Sequence, residues 1–114
     1  MVKMRPPEDP LVSFVRGSYR LIILSLLESS VMHGYQILKT LERITGQKPK
    51  ISTLYSILKD MERNGFLASR MEETRRIYRL TEKGRKVLNE FRSRIGEGAF
   101  RILEVILTPR ASSP

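Results

Sequence analysis

The sequence predicts a mostly α-helical fold that carries one small two-stranded β wing and ends in a long helix. Three observations carry that expectation. Apolar residues recur at helical spacing in four separate stretches, and residues 66–80 alternate instead. Glycine, proline or paired serines stand at the boundaries between them. The chain has 114 residues, a length that suits one domain with its own apolar core.

Taken in order, residues 1–8, with Pro6-Pro7 and no periodicity, read as a flexible arm. Asp9-Pro10 opens a short helical turn, with Asp9 as cap and Pro10 at the first helical position. Gly17-Ser18 reads as a break before a main helix from Tyr19 to about Ser29, in which Ile22, Ile23, Leu26 and Leu27 repeat. His33-Gly34 leads into a second helix through Tyr35, Leu38 and Leu41, stopped by Thr45-Gly46. A third helix runs from about Ser52 to Asn64. Ile51, Leu54, Leu58 and Met61 form its buried seam, and Asn64-Gly65 closes it.

The next two segments, Phe66 to Met71 and Arg75 to Leu80, read as strands joined by the three-residue loop Glu72-Glu73-Thr74. Thr81 caps a last helix that reaches about Leu107, where Thr108-Pro109 stops it and 109–114 forms a disordered tail. Gly96 and Gly98 weaken its middle by roughly 1 kcal/mol each relative to alanine. Three helices, a hairpin and a long helix make a winged helix-turn-helix over 9–81, followed by a C-terminal helix over 82–108. This is not the strand-helix alternation that builds a parallel nucleotide-binding sheet.

Charge narrows the partners. The formal net charge is +9, and residues 46–86 carry 11 basic and 5 acidic side chains, two-thirds of that excess. Such a concentration favours a polyanion, above all nucleic acid. The longest apolar stretch, Leu21 to Leu27, is interrupted by Ser25 and falls far short of the roughly 20 residues a membrane span needs. The N-terminus has no apolar stretch, so secretion is not expected and a cytoplasmic location is the default. An enzyme is not expected either. There is no cysteine, the single histidine is His33 beside Gly34, and carboxylates show no metal-ligand spacing. No metal or cofactor is anticipated, because no glycine-rich phosphate loop is present.

The third helix has the residues of a recognition helix. Its seam turns Ser52, Tyr55, Ser56 and Lys59 outward, with Thr53 near the start. Hydroxyls can bond phosphates or base edges, and a lysine can neutralise a phosphate or reach a guanine. The same residue types also suit a solvated helix face. The hairpin bears Arg70, Arg75, Arg76 and Arg79, but Glu72 and Glu73 at its tip would repel phosphate. The expected grip is therefore Arg75 and Arg76. On the last helix, Leu88, Phe91, Ile95, Ala99, Ile102, Leu103 and Ile106 form a seam too apolar for one protomer, which points to a homodimer.

These residues also resemble a known family. Arg16-Gly-Ser, Leu21-Ile-Ile-Leu, His33-Gly-Tyr-Gln-Ile, Thr53-Leu-Tyr, Leu58 to Leu67 and Tyr78-Arg-Leu-Thr-Glu-Lys-Gly are similar, in that order, to the PadR family of transcriptional regulators, from about residue 16 to 90. The resemblance implies a homodimeric winged-helix regulator, usually a repressor, on a palindromic operator in double-stranded DNA. It places Tyr35 and Tyr55 near DNA, with Ser52, Thr53, Lys59, Arg75 and Arg76 on the recognition helix and wing. The short C-terminus resembles the subfamily whose single last helix dimerises. Ser56 and Ser52 depart from a common proline and glycine of the family pattern. The last helix has no tryptophan, so the flat aromatic effectors of some relatives are not expected, and a small-molecule effector stays unidentified. Two other readings stand beside this one: a winged helix used as a protein-interaction module, and a non-specific architectural DNA-binding protein.

Overall fold

A computed structural model describes residues 9–111; the arm expected over 1–8 and the last three residues of the expected tail lie outside them. Helix α1 spans Pro10–Leu26 as one piece. Asp9 accepts a hydrogen bond from the Leu11 amide at 2.9 Å, and Pro10 follows it at the first helical position. The break expected at Gly17-Ser18 does not occur. Val15, Tyr19 and Ile23 are buried at four-residue spacing along one face across that point, with Leu24 buried beside Ile23. Each such burial is worth about 1.5–3 kcal/mol, more than the roughly 1 kcal/mol a mid-helix glycine costs. The Ser18 hydroxyl meanwhile donates back to the Val15 carbonyl at 2.6 Å.

Strand β1 (Met32–His33) leads directly into α2 (Gly34–Thr45). A reciprocal cap starts the helix. The Gln36 amide donates to the His33 ring, and the Gln36 side-chain oxygen accepts from the His33 amide at 2.9 Å. Gly46 ends α2 in the left-handed conformation, with φ of 72°. Helix α3 covers Ile51–Arg63 and buries Leu54, Ile57, Leu58 and Met61. Ile51 departs from the expected seam. It is the first residue of α3 and remains 56% exposed, and Ile57 takes its place inside.

Strands β2 (Leu67–Glu72) and β3 (Arg75–Leu80) pair antiparallel, with Glu72 opposite Arg75 and Leu67 opposite Leu80. The loop is therefore two residues, not three, and Glu73 takes the positive φ (58°) that primed turns place at their first position. The wing also gains a third strand. Met32 pairs with Tyr78 and His33 with Ile77, giving the order β1-β3-β2. The wing base is thus joined to the start of α2.

Thr81 locks the exit from the wing: its hydroxyl donates to the Gly65 carbonyl at 2.5 Å and accepts from the Gly84 amide at 3.0 Å. The expected single last helix is continuous but irregular. Helix α4 (Glu82–Glu90) passes through a π-helical turn, Phe91–Ile95, into α5 (Gly96–Leu107). The irregularity falls just before Gly96, and both Gly96 and Gly98 keep helical surroundings with open space around them. Leu88 is 3% exposed and belongs to the protomer's own core. It has no surface left for a partner, which corrects its expected place in a dimer seam. Arg92 grips Glu28 with both guanidinium arms at 2.8 Å, joining the π-helical turn to the residues just after α1.

None of α5 is buried, and no described helix is long and apolar enough to cross a membrane. The radius of gyration is 16.6 Å, against roughly 13 Å for a compact domain of this size. The excess fits a last helix that reaches beyond the core.

Two outcomes test this packing. A Cβ at Gly84 would strike the Phe66 carbonyl and sit 2.7 Å from Leu80 Cδ1. Gly84→Ala should therefore cost about 1–3 kcal/mol in urea unfolding. The Arg92 hydrogen bond holds the Glu28 carboxyl below its ordinary value. A folded-state value lower than the unfolded one stabilises above the unfolded carboxylate range and is lost as pH falls through the folded value. In a carboxyl NMR titration, Arg92→Gln should move Glu28 back up toward the ordinary range.

Candidate nucleic-acid interface

With Leu54, Ile57, Leu58 and Met61 turned inward, α3 leaves Ser52, Tyr55, Ser56 and Lys59 exposed, with Thr53 half-buried beside them. The face is polar and made of short side chains apart from Tyr55 and Lys59. It is shaped to let the helix backbone come close to another surface. A major groove about 12 Å wide admits such a helix.

On the wing side, a groove of about 280 Å³ is lined by His33, Gly34, Tyr35, Tyr55, Thr74, Arg75 and Arg76. Four of the expected site residues, Tyr35, Tyr55, Arg75 and Arg76, thus come together from three separate elements. Tyr35 is 59% and Tyr55 46% exposed, large aromatic areas for two polar-tipped rings. Gly34 makes the approach possible, because a Cβ there would lie 2.6 Å from the Tyr55 hydroxyl and 2.9 Å from its ring. Lys39 sits 5.7 Å from the Tyr35 ring centre, a cation against its face.

The two wing arginines are held differently. Arg75 Nη1 lies 3.3 Å from His33 Nε2, and the other ring nitrogen of His33 faces the Gln36 amide at 3.4 Å. A neutral imidazole has one acceptor nitrogen and serves one of those donors at a time. Arg76 Nη1 donates to the Ser69 hydroxyl at 2.9 Å, and Ser69 donates to Glu62 of α3 at 2.6 Å. The wing is thereby tied to α3 through a serine. Sequence reasoning missed Ser69 and Glu62, since the contact depends on strand register. Tyr78, on the same sheet face, has its hydroxyl pushed up by burial, opposed by Arg76 and reinforced by Glu62 and Tyr55. At the tip, Glu72 accepts a 3.1 Å bond from Arg70, so one of the two tip carboxylates is partly neutralised.

On the opposite side of α3, Ser52, Thr53, Ser56 and Lys59 line a second groove together with Arg20, Asp60 and Arg63. The expected residues therefore divide between two flanks of one helix. The described residues contain no group of acidic, histidine or cysteine side chains placed to hold a metal.

A helix-turn-helix with its outward helix between a basic wing and a basic groove defines a winged-helix regulator. Comparison with known proteins agrees. Residues 23–90 match the transcriptional regulator PadR-like family. A transcriptional regulator of Mycobacterium tuberculosis is 34% identical over 94 residues, covering 79% of this chain and 87% of its own length. The transcriptional regulator YqjI of Escherichia coli is 31% identical over 85 residues, 72% of this chain; the chain spans 41% of that protein's length. Among solved structures, a transcriptional regulator from Clostridium thermocellum is 33% identical with a TM-score of 0.71, over 84% of this chain and 96% of that one. A PadR family regulator from Eggerthella lenta is 26% identical, also with a TM-score of 0.71, over 87% and 90% of the two chains. The chain belongs to the PadR-like family of transcriptional regulators, a class of regulators and not of enzymes.

The close approach at Gly34 gives a direct test. Gly34→Ala should leave stability within about 1 kcal/mol, because alanine favours the helix and the obstructing atoms end a movable side chain. The Tyr55 ring resonances should nevertheless shift in NMR spectra, as the ring is forced out of the groove.

Proposed function

We propose that the chain is a homodimeric, sequence-specific DNA-binding regulator, acting as a repressor on a palindromic operator. The observation that carries this reading is the exposed polar face of α3, set between two basic flanks and fixed in rotation by its buried seam. In this reading Ser52, Tyr55, Ser56 and Lys59 enter a major groove, and Thr53 reaches the backbone at its edge. Tyr35, Arg75 and Arg76 meet phosphates on the wing side, where positive charge and hydroxyl donors suit the DNA backbone. Residues 9–81 then form the DNA-binding unit and 82–108 the dimerisation helix, in a cytoplasmic protein.

The surface of α5 supports the dimer. Phe100 is 77% exposed, Ile106 64%, Ile102 59% and Ile95 51%, and no residue of α5 is fully buried in its own protomer. Exposed apolar area of that kind calls for a partner, and a two-fold copy presents the same surface in return. Phe91, Ile95, Ala99, Ile102, Leu103 and Ile106 are the proposed contacts. A regulator that dimerises in this way binds a site with matching two-fold symmetry.

Three measurements bear on this. Lys59→Ala and Arg76→Ala should each weaken binding to a duplex selected by the protein and lower the slope of log affinity against log salt by roughly one for each protomer of the bound dimer. Unchanged affinity and slope in both would remove those contacts. Ser69→Ala keeps every charge but frees Arg76 from its tether, so it should reduce affinity with the salt slope retained. Light scattering at micromolar concentration should give the mass of a dimer, and a monomeric mass would contradict the proposed role of α5.

A further inference from the structure

The cations beside α3 are not confined to the wing. Arg16 and Arg20 lie four residues apart on one face of α1, as helical spacing dictates. Arg20 shares a groove with Ser52, Ser56, Lys59 and Arg63. Arg16 shares an adjoining pocket with Lys48 and Lys50. Thr53 lines both, so the two depressions form one band along the flank of α3 that no wing residue borders.

We infer that α1 supplies a second phosphate-binding flank, in which Arg16 and Arg20, with Lys48, Lys50 and Arg63, meet the DNA backbone on the side of α3 away from the wing. This rests on the DNA-binding reading given above and names the part of the surface that completes it. A helix seated in a major groove has a sugar-phosphate strand on each side. The wing arginines face one of those strands. The other needs its own cations, and beside Lys59 this band offers five of them around a single carboxylate, Asp60.

Asp60 does not remove Arg20 from use. Its carboxylate accepts one bond from Arg20 Nη2, at 3.3 Å, with the two side chains 52% and 43% exposed. Exposed pairs of this kind are worth at most about 1 kcal/mol. A guanidinium has five N–H donors in a fixed fork, so the pair steers Arg20 toward α3 while the remaining donors stay available to phosphate. Because such contacts meet only the backbone, they add affinity and leave sequence preference to α3.

The test compares the full chain with Arg16→Gln, the double variant Arg16→Gln/Arg20→Gln, and Arg101→Gln, which removes one equal charge from exposed α5. Binding is measured against salt on a duplex selected by the wild-type protein from a random-sequence library and on an unselected duplex. For each protomer of the bound dimer, the single variant should lower the salt slope by roughly 0.9 and the double by about twice that, the amount lost per phosphate contact. The affinity ratio between the two duplexes should hold. Arg101→Gln should leave the slope in place. A double variant with the wild-type slope, or an equal loss in Arg101→Gln, would overturn the flank while the DNA-binding reading stood. Failure of the wild-type protein to bind any duplex would bring down both.

Discussion

The surface that α3 offers to a partner is dictated by the four side chains it hides. Leu54, Ile57, Leu58 and Met61 lock the helix at one rotation against the core, and the opposite residues have no choice but to face out. A turn of the helix by one residue would expose a leucine and bury a serine, a loss of about 1.5–3 kcal/mol for the apolar side chain alone. The serine would add the cost of an unpaired hydroxyl. The rotation of α3 is therefore a consequence of core packing alone.

Other devices carry that fixed helix to a fixed wing. Met32 and His33 add a short strand to β3, so the start of α2 and the wing share one sheet. Ser69 joins Arg76 to Glu62, and Thr81 ties the wing's exit to the turn after α3. These polar links are individually modest, about 0.5–1.5 kcal/mol for the neutral Thr81 bond and at most about 1.5–3 kcal/mol for each bond to a charged group. Together they leave α2, α3 and the wing little freedom to move apart. Helix α5 is the contrast. Its large apolar residues other than Leu103 stay exposed in the protomer, so the energy of covering them is left for the proposed association.

Much of this is legible in the amino-acid sequence, and the exceptions share a cause. The seams of α2 and α3, apart from the exposed Tyr35 and Ile51, the left-handed stop at Gly46 and the Thr81 cap are local patterns that form where the sequence places them. The two residues of β1 were missed because a strand that short has no alternation to detect; it exists only through its partner on β3. Gly17 looked like a boundary, yet Val15, Tyr19 and Ile23 are buried on both sides of it, and tertiary packing outweighs local propensity. Glu72 reads as loop from composition but pairs with Arg75, because register decides where a hairpin turns. The π-helical turn at Phe91–Ile95 left no signal in a seam whose spacing still reads as helical. For the interface, the outward residues of α3 followed from its seam. The tether on Arg76 and the basic band on α1 depend on which elements lie side by side, and spacing along the chain is silent on that.

The central claim is that α3 enters the major groove as one of a symmetric pair. Guanine N7 lies in that groove alone, so methylation protection by dimethyl sulfate reads the contact directly. On a duplex selected by the protein, the account predicts two protected patches related by two-fold symmetry, with centres roughly 10–10.5 base pairs or a multiple apart. Full occupancy of the duplex with every guanine N7 still reactive would contradict it.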